Sequence, residues 1–126
     1  MTENDIAKVV VDAAFHIHRE LGPGVLESVY EAIMEYELTK THGLKVVRQK
    51  GIPVVWKEMR LDVGFRADLL VEDKIIVELK SVETIPPVYL KQALTHLKLT
   101  KLRLGLLINF NEALLKNGIR RVANGL

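Results

Sequence analysis

The 126-residue sequence contains no cysteine. Disulfides, thiolate metal sites and cysteine nucleophiles are therefore excluded, and the absence suits a reducing, cytoplasmic setting. No apolar run approaches the roughly 20 residues needed to cross a bilayer, so no membrane role is expected. The opening MTENDIAKVV is acidic and polar, without the basic start and continuous apolar stretch of a secretory signal. Neither sign of charge dominates: 18 Lys and Arg stand against 16 Asp and Glu, leaving +2, with a sequence pI near 8.9. Such a balance does not establish nucleic-acid binding, because the placement of charge matters more than its total. Internal repeats, low-complexity segments and Pro/Ser-rich linkers are also missing. What remains is 48% hydrophobic and 27% charged, an ordinary globular composition. The length fits one domain over residues 1–126 with a real core.

Apolar periodicity divides the chain. Ile6, Val10, Ala13, Ile17 and Leu21 recur at steps of three and four, which predicts an amphipathic helix over 4–21. The GPG at 22–24 breaks it; lacking the spacing and lysine of a phosphate-cradling loop, it reads as an interhelix turn. A second helix is expected over 25–41, burying Leu26, Val29, Ile33 and either Leu38 or Tyr36, with Gly43 placed for a left-handed cap. From 44 to 82 the signal turns to β, with Pro53 indicating an edge strand or a bulge. A helix entered through prolines follows, with Leu90, Leu94 and Leu97 as its stripe. The almost wholly apolar LRLGLLINF at 102–110 predicts a central strand covered on both faces. A short helical turn and a last extended segment complete the tail. The order α, α, several β, α, β implies a mixed sheet with helices packed on it.

One stretch does not fit a purely structural reading. In DLLVEDKIIVELK, residues 68–80, Glu72, Asp73 and Lys74 belong to a turn, but Asp68, Glu78 and Lys80 lie inside the apolar runs. Strand alternation puts Glu78 and Lys80 on one face and Leu79 on the other. If 66–71 pairs antiparallel with 75–80, Asp68 comes level with Glu78. Two carboxylates that close repel unless a proton or a cation lies between them. Oxygen ligands of this kind suit a hard ion such as Mg²⁺ or Mn²⁺. On these residues alone a solvated polar face on an ordinary hairpin is the better reading, since a loose acid-acid-lysine spacing recurs by chance.

The surrounding residues resemble something more specific. Asp68 and the ELK at 78–80, preceded by a helix with an acid and followed by a helix with Gln92, look like the PD-(D/E)XK nuclease superfamily, whose core is an αβββαβ unit. More narrowly, GVLESVY at 24–30 resembles the motif that names the GxxExxY proteins grouped with that superfamily, and the likeness runs from about Ile6 to the C-terminus. The resemblance implies an α/β (α+β), restriction-endonuclease-like fold: the αβββαβ core, a mixed sheet flanked by helices, and an extra N-terminal helix. It implies a divalent-metal-dependent nuclease using Mg²⁺ or Mn²⁺ on nucleic acid, DNA ahead of RNA. Asp68, Glu78 and the backbone carbonyl of Leu79 would hold the metal, with Glu27 adding a contact directly or through water. Lys80 would position the attacking water and Gln92 would steady Lys80 or the phosphate. Relatives with that glutamine usually carry a tyrosine four residues on; here the position is His96, which leaves its role open. A chain this short shows no DNA-reading appendage, so a homodimer or a protein partner would help recognition. The alternative is a non-catalytic nucleic-acid-binding or protein-interaction module that keeps the nuclease fold.

Other residues carry two readings. Tyr30, three positions after Glu27, either hydrogen-bonds the carboxylate or packs its ring with the hydroxyl reaching a partner. His16 and Glu20 form an i,i+4 pair that faces the same cleft or lies on the surface. Trp56 either stacks a base or packs, packing being the usual fate of a lone tryptophan in a β segment. The basic residues from Lys45 to Arg66, with Lys91, Lys98, Lys101 and Arg103, form a solvated rim or neutralise phosphates.

Overall fold

The first helix begins where Thr2 can cap it. The Thr2 hydroxyl accepts from the Asp5 N–H at 3.2 Å, and the Asp5 carboxylate accepts from the Thr2 N–H at 2.9 Å, closing a reciprocal box that satisfies two otherwise orphaned donors. The computed structural model describes residues 1–126. Helix α1 (Glu3–Leu21) buries Ile6, Val10, Ala13 and Ile17. Leu21 stays exposed, because the helix ends beside it at Gly22, φ +68. No helix is long and apolar enough to cross a membrane.

Helix α2 (Glu27–Tyr36) runs into a wider π turn over Glu37–Thr41 and stops before Gly43, whose φ of +68 is the left-handed cap expected there. Its buried stripe differs from the expected one. Tyr30, Met34 and Leu38 are fully buried, whereas Leu26, Val29 and Tyr36 are exposed. Leu26 is the N-cap residue rather than a helical one, so the stripe starts a turn later. Tyr30 anchors it: its ring stacks on Phe110 at 4.2 Å, while its hydroxyl donates to the Gly22 carbonyl and accepts from the Val25 N–H. Tyr30 therefore holds the GPG turn closed, and its hydroxyl goes to backbone rather than to Glu27.

Five strands follow: β1 (Val46–Trp56), β2 (Met59–Val71), β3 (Ile75–Lys80), β4 (Leu104–Asn109) and β5 (Ile119–Ala123), with α3 (Pro87–Thr100) between β3 and β4. They form one sheet in the order β1-β2-β3-β4-β5, antiparallel except for the β3–β4 pair. The parallel pair requires a crossover, and α3 supplies it. This is a mixed-sheet α+β fold containing the expected αβββαβ order, with α1 added before it and β5 after it. Pro53 sits at a register shift between Ile52 and Val54, where its missing N–H costs no ladder bond. The turn between β2 and β3 is left-handed at both Glu72 and Asp73, φ +53 and +55, the geometry favoured in tight hairpins.

Alternation along β3 divides the interior. Ile75, Val77 and Leu79 pack with α1 and α2, whereas Ile76 packs with Leu97 of α3. Half-buried Leu90 and Leu94 complete the α3 side. Strand β4 is buried from Leu104 to Asn109, the central, doubly covered strand that its composition called for. The same alternation sends Glu78 and Lys80 to the α3 side.

Candidate active site

The antiparallel β2–β3 ladder closes with Leu69 opposite Val77. One step further, at the level expected, Asp68 stands by Glu78. The ladder does not continue there: Asp68 Oδ2 takes the Leu79 N–H at 2.8 Å in place of a backbone acceptor. The strands fork at this point, and the carboxylate both satisfies the freed amide and is held at the fork.

The fork is poorly solvated. Burial, followed by the neighbouring Asp68 charge, pushes the Glu78 carboxyl up to about 8 against the ordinary 4.5. Burial also raises Asp68, with the Glu31 charge adding and the Leu79 N–H opposing. Lys80 pulls both acids back toward ionisation. Glu78 Oε1 is buried with no hydrogen-bond partner, an exception among buried polar atoms that needs an explanation.

Glu78 and Lys80 share a small cavity of about 40 Å³ with Tyr89, Gln92, Ala93, His96 and Leu107. That is room for a water or a small ion. Lys80 forms no ion pair; its ammonium lies 4.9 Å from the centre of the Tyr89 ring. Gln92 and His96, one helical turn apart, both line the cavity. His96 stacks on Phe65 with ring centres 3.9 Å apart, and its Nδ1 is the second buried atom without a partner. Burial, then the Lys80 charge, holds its imidazole below the usual range.

The structure thus brings together Asp68, Glu78, Lys80, Gln92 and His96. Glu27 lies beside them rather than among them. It is exposed, accepts from the Ser81 N–H at 2.9 Å, and edges an open groove with Gly24, Val25, Leu26, Ser28 and Ser81. The α2 acid whose charge reaches Asp68 and Glu78 is Glu31, one turn further on. Glu31 is buried and held by Arg48 Nε at 3.2 Å and Gln49 Nε2 at 2.9 Å; the same Gln49 nitrogen lies 3.4 Å from Asp68 Oδ1. His16 and Glu20 do not face the cleft. They line a separate surface groove with Ile17, Leu21, Ile33 and Glu37.

Sequence reasoning missed three residues here: Glu31, Gln49 and Asn109. Glu31 was findable, because its four-residue spacing from Glu27 puts both acids on one helix face. Gln49 carries no chemical signal in the sequence; its side-chain amide links Glu31 to Asp68 from a backbone left-handed at φ +49. Asn109 was visible as the one polar residue in an otherwise apolar strand. It is fully buried; its Oδ1 accepts from Val82 N–H at 3.0 Å and its Nδ2 donates to Val82 O at 2.8 Å. With the Phe110 N–H bonded to Lys80 O at 2.9 Å, it fixes the backbone that carries Lys80.

Asp68 and Glu78 offer only oxygen donors, the kind hard divalent ions take. The orphaned Glu78 oxygen and the raised proton affinities of both acids fit such a cation. No three Asp, Glu or His side chains converge on a common point, so a backbone carbonyl and water would complete the coordination.

A family model for the PD-(D/E)XK nuclease superfamily matches residues 4–122. No curated protein and no solved structure matches the chain.

Proposed function

The chain belongs to the PD-(D/E)XK nuclease superfamily, and on that premise we propose that it is a divalent-metal-dependent phosphodiesterase cleaving nucleic acid, DNA ahead of RNA. Asp68, Glu78 and the Leu79 carbonyl would hold Mg²⁺ or Mn²⁺. The observation that carries the reading is the half-buried Asp68–Glu78 pair with its buried, unpartnered Glu78 oxygen, beside a lysine with no acid partner.

When bound, the ion supplies Lewis-acid polarisation of the scissile phosphodiester and neutralises the acid pair. The protein's own groups do the rest. Burial at the fork keeps bulk water from screening the site, which strengthens each electrostatic contact within it. The Lys80 ammonium, kept off both carboxylates by its seat against Tyr89, is free to hold an attacking water and to balance charge gathering on the phosphate. Gln92, at the exposed rim of the cavity, is placed to hydrogen-bond Lys80 or a phosphate oxygen. Glu27 marks the open groove as the side from which a backbone approaches, and Glu31 acts through Gln49 on the position of Asp68.

The test is cleavage of supercoiled plasmid DNA and of a labelled RNA in Mg²⁺ or Mn²⁺, with Asp68→Ala and Lys80→Ala purified in parallel. Both variants should lose cleavage by at least about 10³-fold, the scale of removing transition-state charge stabilisation. Wild-type rates in Asp68→Ala would overturn the assignment. No cleavage by the wild-type protein in either metal, with binding intact, would favour the non-catalytic module.

A further inference from the structure

The β1–β2 hairpin outruns the sheet. Strand β3 pairs only with the last three residues of β2, from Leu69 to Val71, yet β1 and β2 stay paired out to Trp56 and Met59. From the Lys50–Ala67 pair, next to Asp68, the ribbon extends roughly 20–25 Å at about 3.3 Å per residue.

The projecting part has an unusual surface. MRLDVGFR, residues 59–66, places apolar residues at every second position up to Phe65, the pattern of a strand with one covered face. Near the tip nothing covers it: Trp56 is 62% exposed, Met59 54% and Leu61 47%. Trp56 pairs directly with Met59, and Val54 with Leu61, so these four share a face. Charge is also concentrated here. Between Lys50 and Ala67, four basic residues outnumber Glu58 and Asp62 by two. The whole chain carries +2, so the projecting ribbon carries all of the net charge. Lys50, Lys57 and Arg66 have no ion-pair partner, and Lys57 Nζ lies 5.9 Å from the Trp56 ring centre.

We propose that the β1–β2 ribbon is a DNA-gripping arm that lies along the duplex flanking the bond presented to Asp68 and Glu78; this rests on the nuclease reading above. A two-stranded ribbon fits the major groove of B-DNA, about 12 Å wide, whereas the deep, narrow groove of A-form RNA does not admit one. Lys50, Lys57 and Arg66 meet phosphates. Trp56 and Met59, at the tip, present apolar surface to the thymine methyl groups on the groove floor. The arm's reach corresponds to about six or seven base pairs at about 3.4 Å each. A second copy of this chain is the poorer occupant, since a symmetric contact through this face would set two +2 ribbons against each other.

Binding is tested without catalysis, by fluorescence anisotropy of a labelled duplex of about 20 base pairs with Asp68→Ala protein in metal-free buffer. Combining Lys50→Ala, Lys57→Ala and Arg66→Ala should weaken binding at least about tenfold. It should also flatten the slope of log affinity against log salt by about 2.7, for three phosphates at about 0.9 each. Trp56→Ala should weaken binding about tenfold with the salt slope unchanged. All four positions are exposed or half-buried, and circular dichroism verifies that the variants fold. Unchanged affinity and slope in folded variants overturn the arm, as does tighter binding to single-stranded DNA than to the duplex. So does a wild-type dimer in sedimentation that Trp56→Ala dissociates while affinity holds. In the Asp68-intact protein the ribbon variants should raise KM and leave kcat unchanged; cleavage with KM unaltered overturns the arm while leaving the nuclease reading intact.

Discussion

Glu78 links stability to pH in a way the fold makes quantitative. In the metal-free chain its carboxyl titrates at about 8 when folded and near 4.5 when unfolded. Between those values the folded state binds the proton more tightly, so stability falls as pH rises. The stabilising contribution is fully present below about pH 4.5 and is lost as pH passes through about 8. At about 1.4 kcal/mol per tenfold change in proton affinity, the ceiling is about 5 kcal/mol. Water entering the fork on ionisation relieves part of this, so a melt should register about 2–3 kcal/mol, or roughly 10 °C for a domain of this size. Asp68 is raised too and adds in the same direction. The assay is thermal unfolding in chelator from about pH 5 to about pH 8.5, for wild type and Glu78→Gln. The amide cannot ionise, so the variant should lose much less stability over this range. A wild-type melting temperature that is flat or rises with pH, or an identical slope in Glu78→Gln, would refute the reasoning.

Two further outcomes test how the site is held. Asn109→Ala removes the acceptor of the Val82 and Asn111 N–H groups and one of the two donors to the Val82 carbonyl, in a half-buried setting, which should cost about 1–3 kcal/mol in denaturant unfolding. If it also lowers kcat with KM little changed, the loop carrying Lys80 is positioned by Asn109. Tyr30→Phe keeps the stack on Phe110 but removes the bond to Gly22, so it should cost about 1 kcal/mol and leave cleavage near wild type, because the hydroxyl does not touch the acids.

The sequence made the element order legible because each segment's apolar period matched its eventual neighbours: three- and four-residue steps in α1, a continuous apolar run in β4, prolines at the start of α3. The level pairing of Asp68 with Glu78 was legible for a similar reason, since a tight turn at Glu72–Asp73 fixes the register of both strands. Elsewhere the period was right and the phase was wrong. In α2 the apolar positions allowed two stripes, and only the helix start at Glu27 and the Tyr30–Phe110 stack select the one through Met34 and Leu38. The position of Glu31 depends on that same phase, so the buried α2 acid that bonds Gln49 was not singled out. Trp56 was expected to pack because β segments usually lie within a sheet. Local alternation carries no information on how far a hairpin runs past its neighbouring strand.

The claim at the centre of this account is that Asp68 and Glu78 form one divalent-cation site. Isothermal titration of the metal-free protein with Mn²⁺ near pH 8, for wild type, Asp68→Ala and Glu78→Gln, tests it directly. Proton release on binding is expected, because the ion displaces the proton held by the raised Glu78. The account predicts saturable binding in the wild type, weaker below about pH 6, and at least a tenfold loss in each variant. Undiminished Mn²⁺ affinity in Asp68→Ala would contradict it.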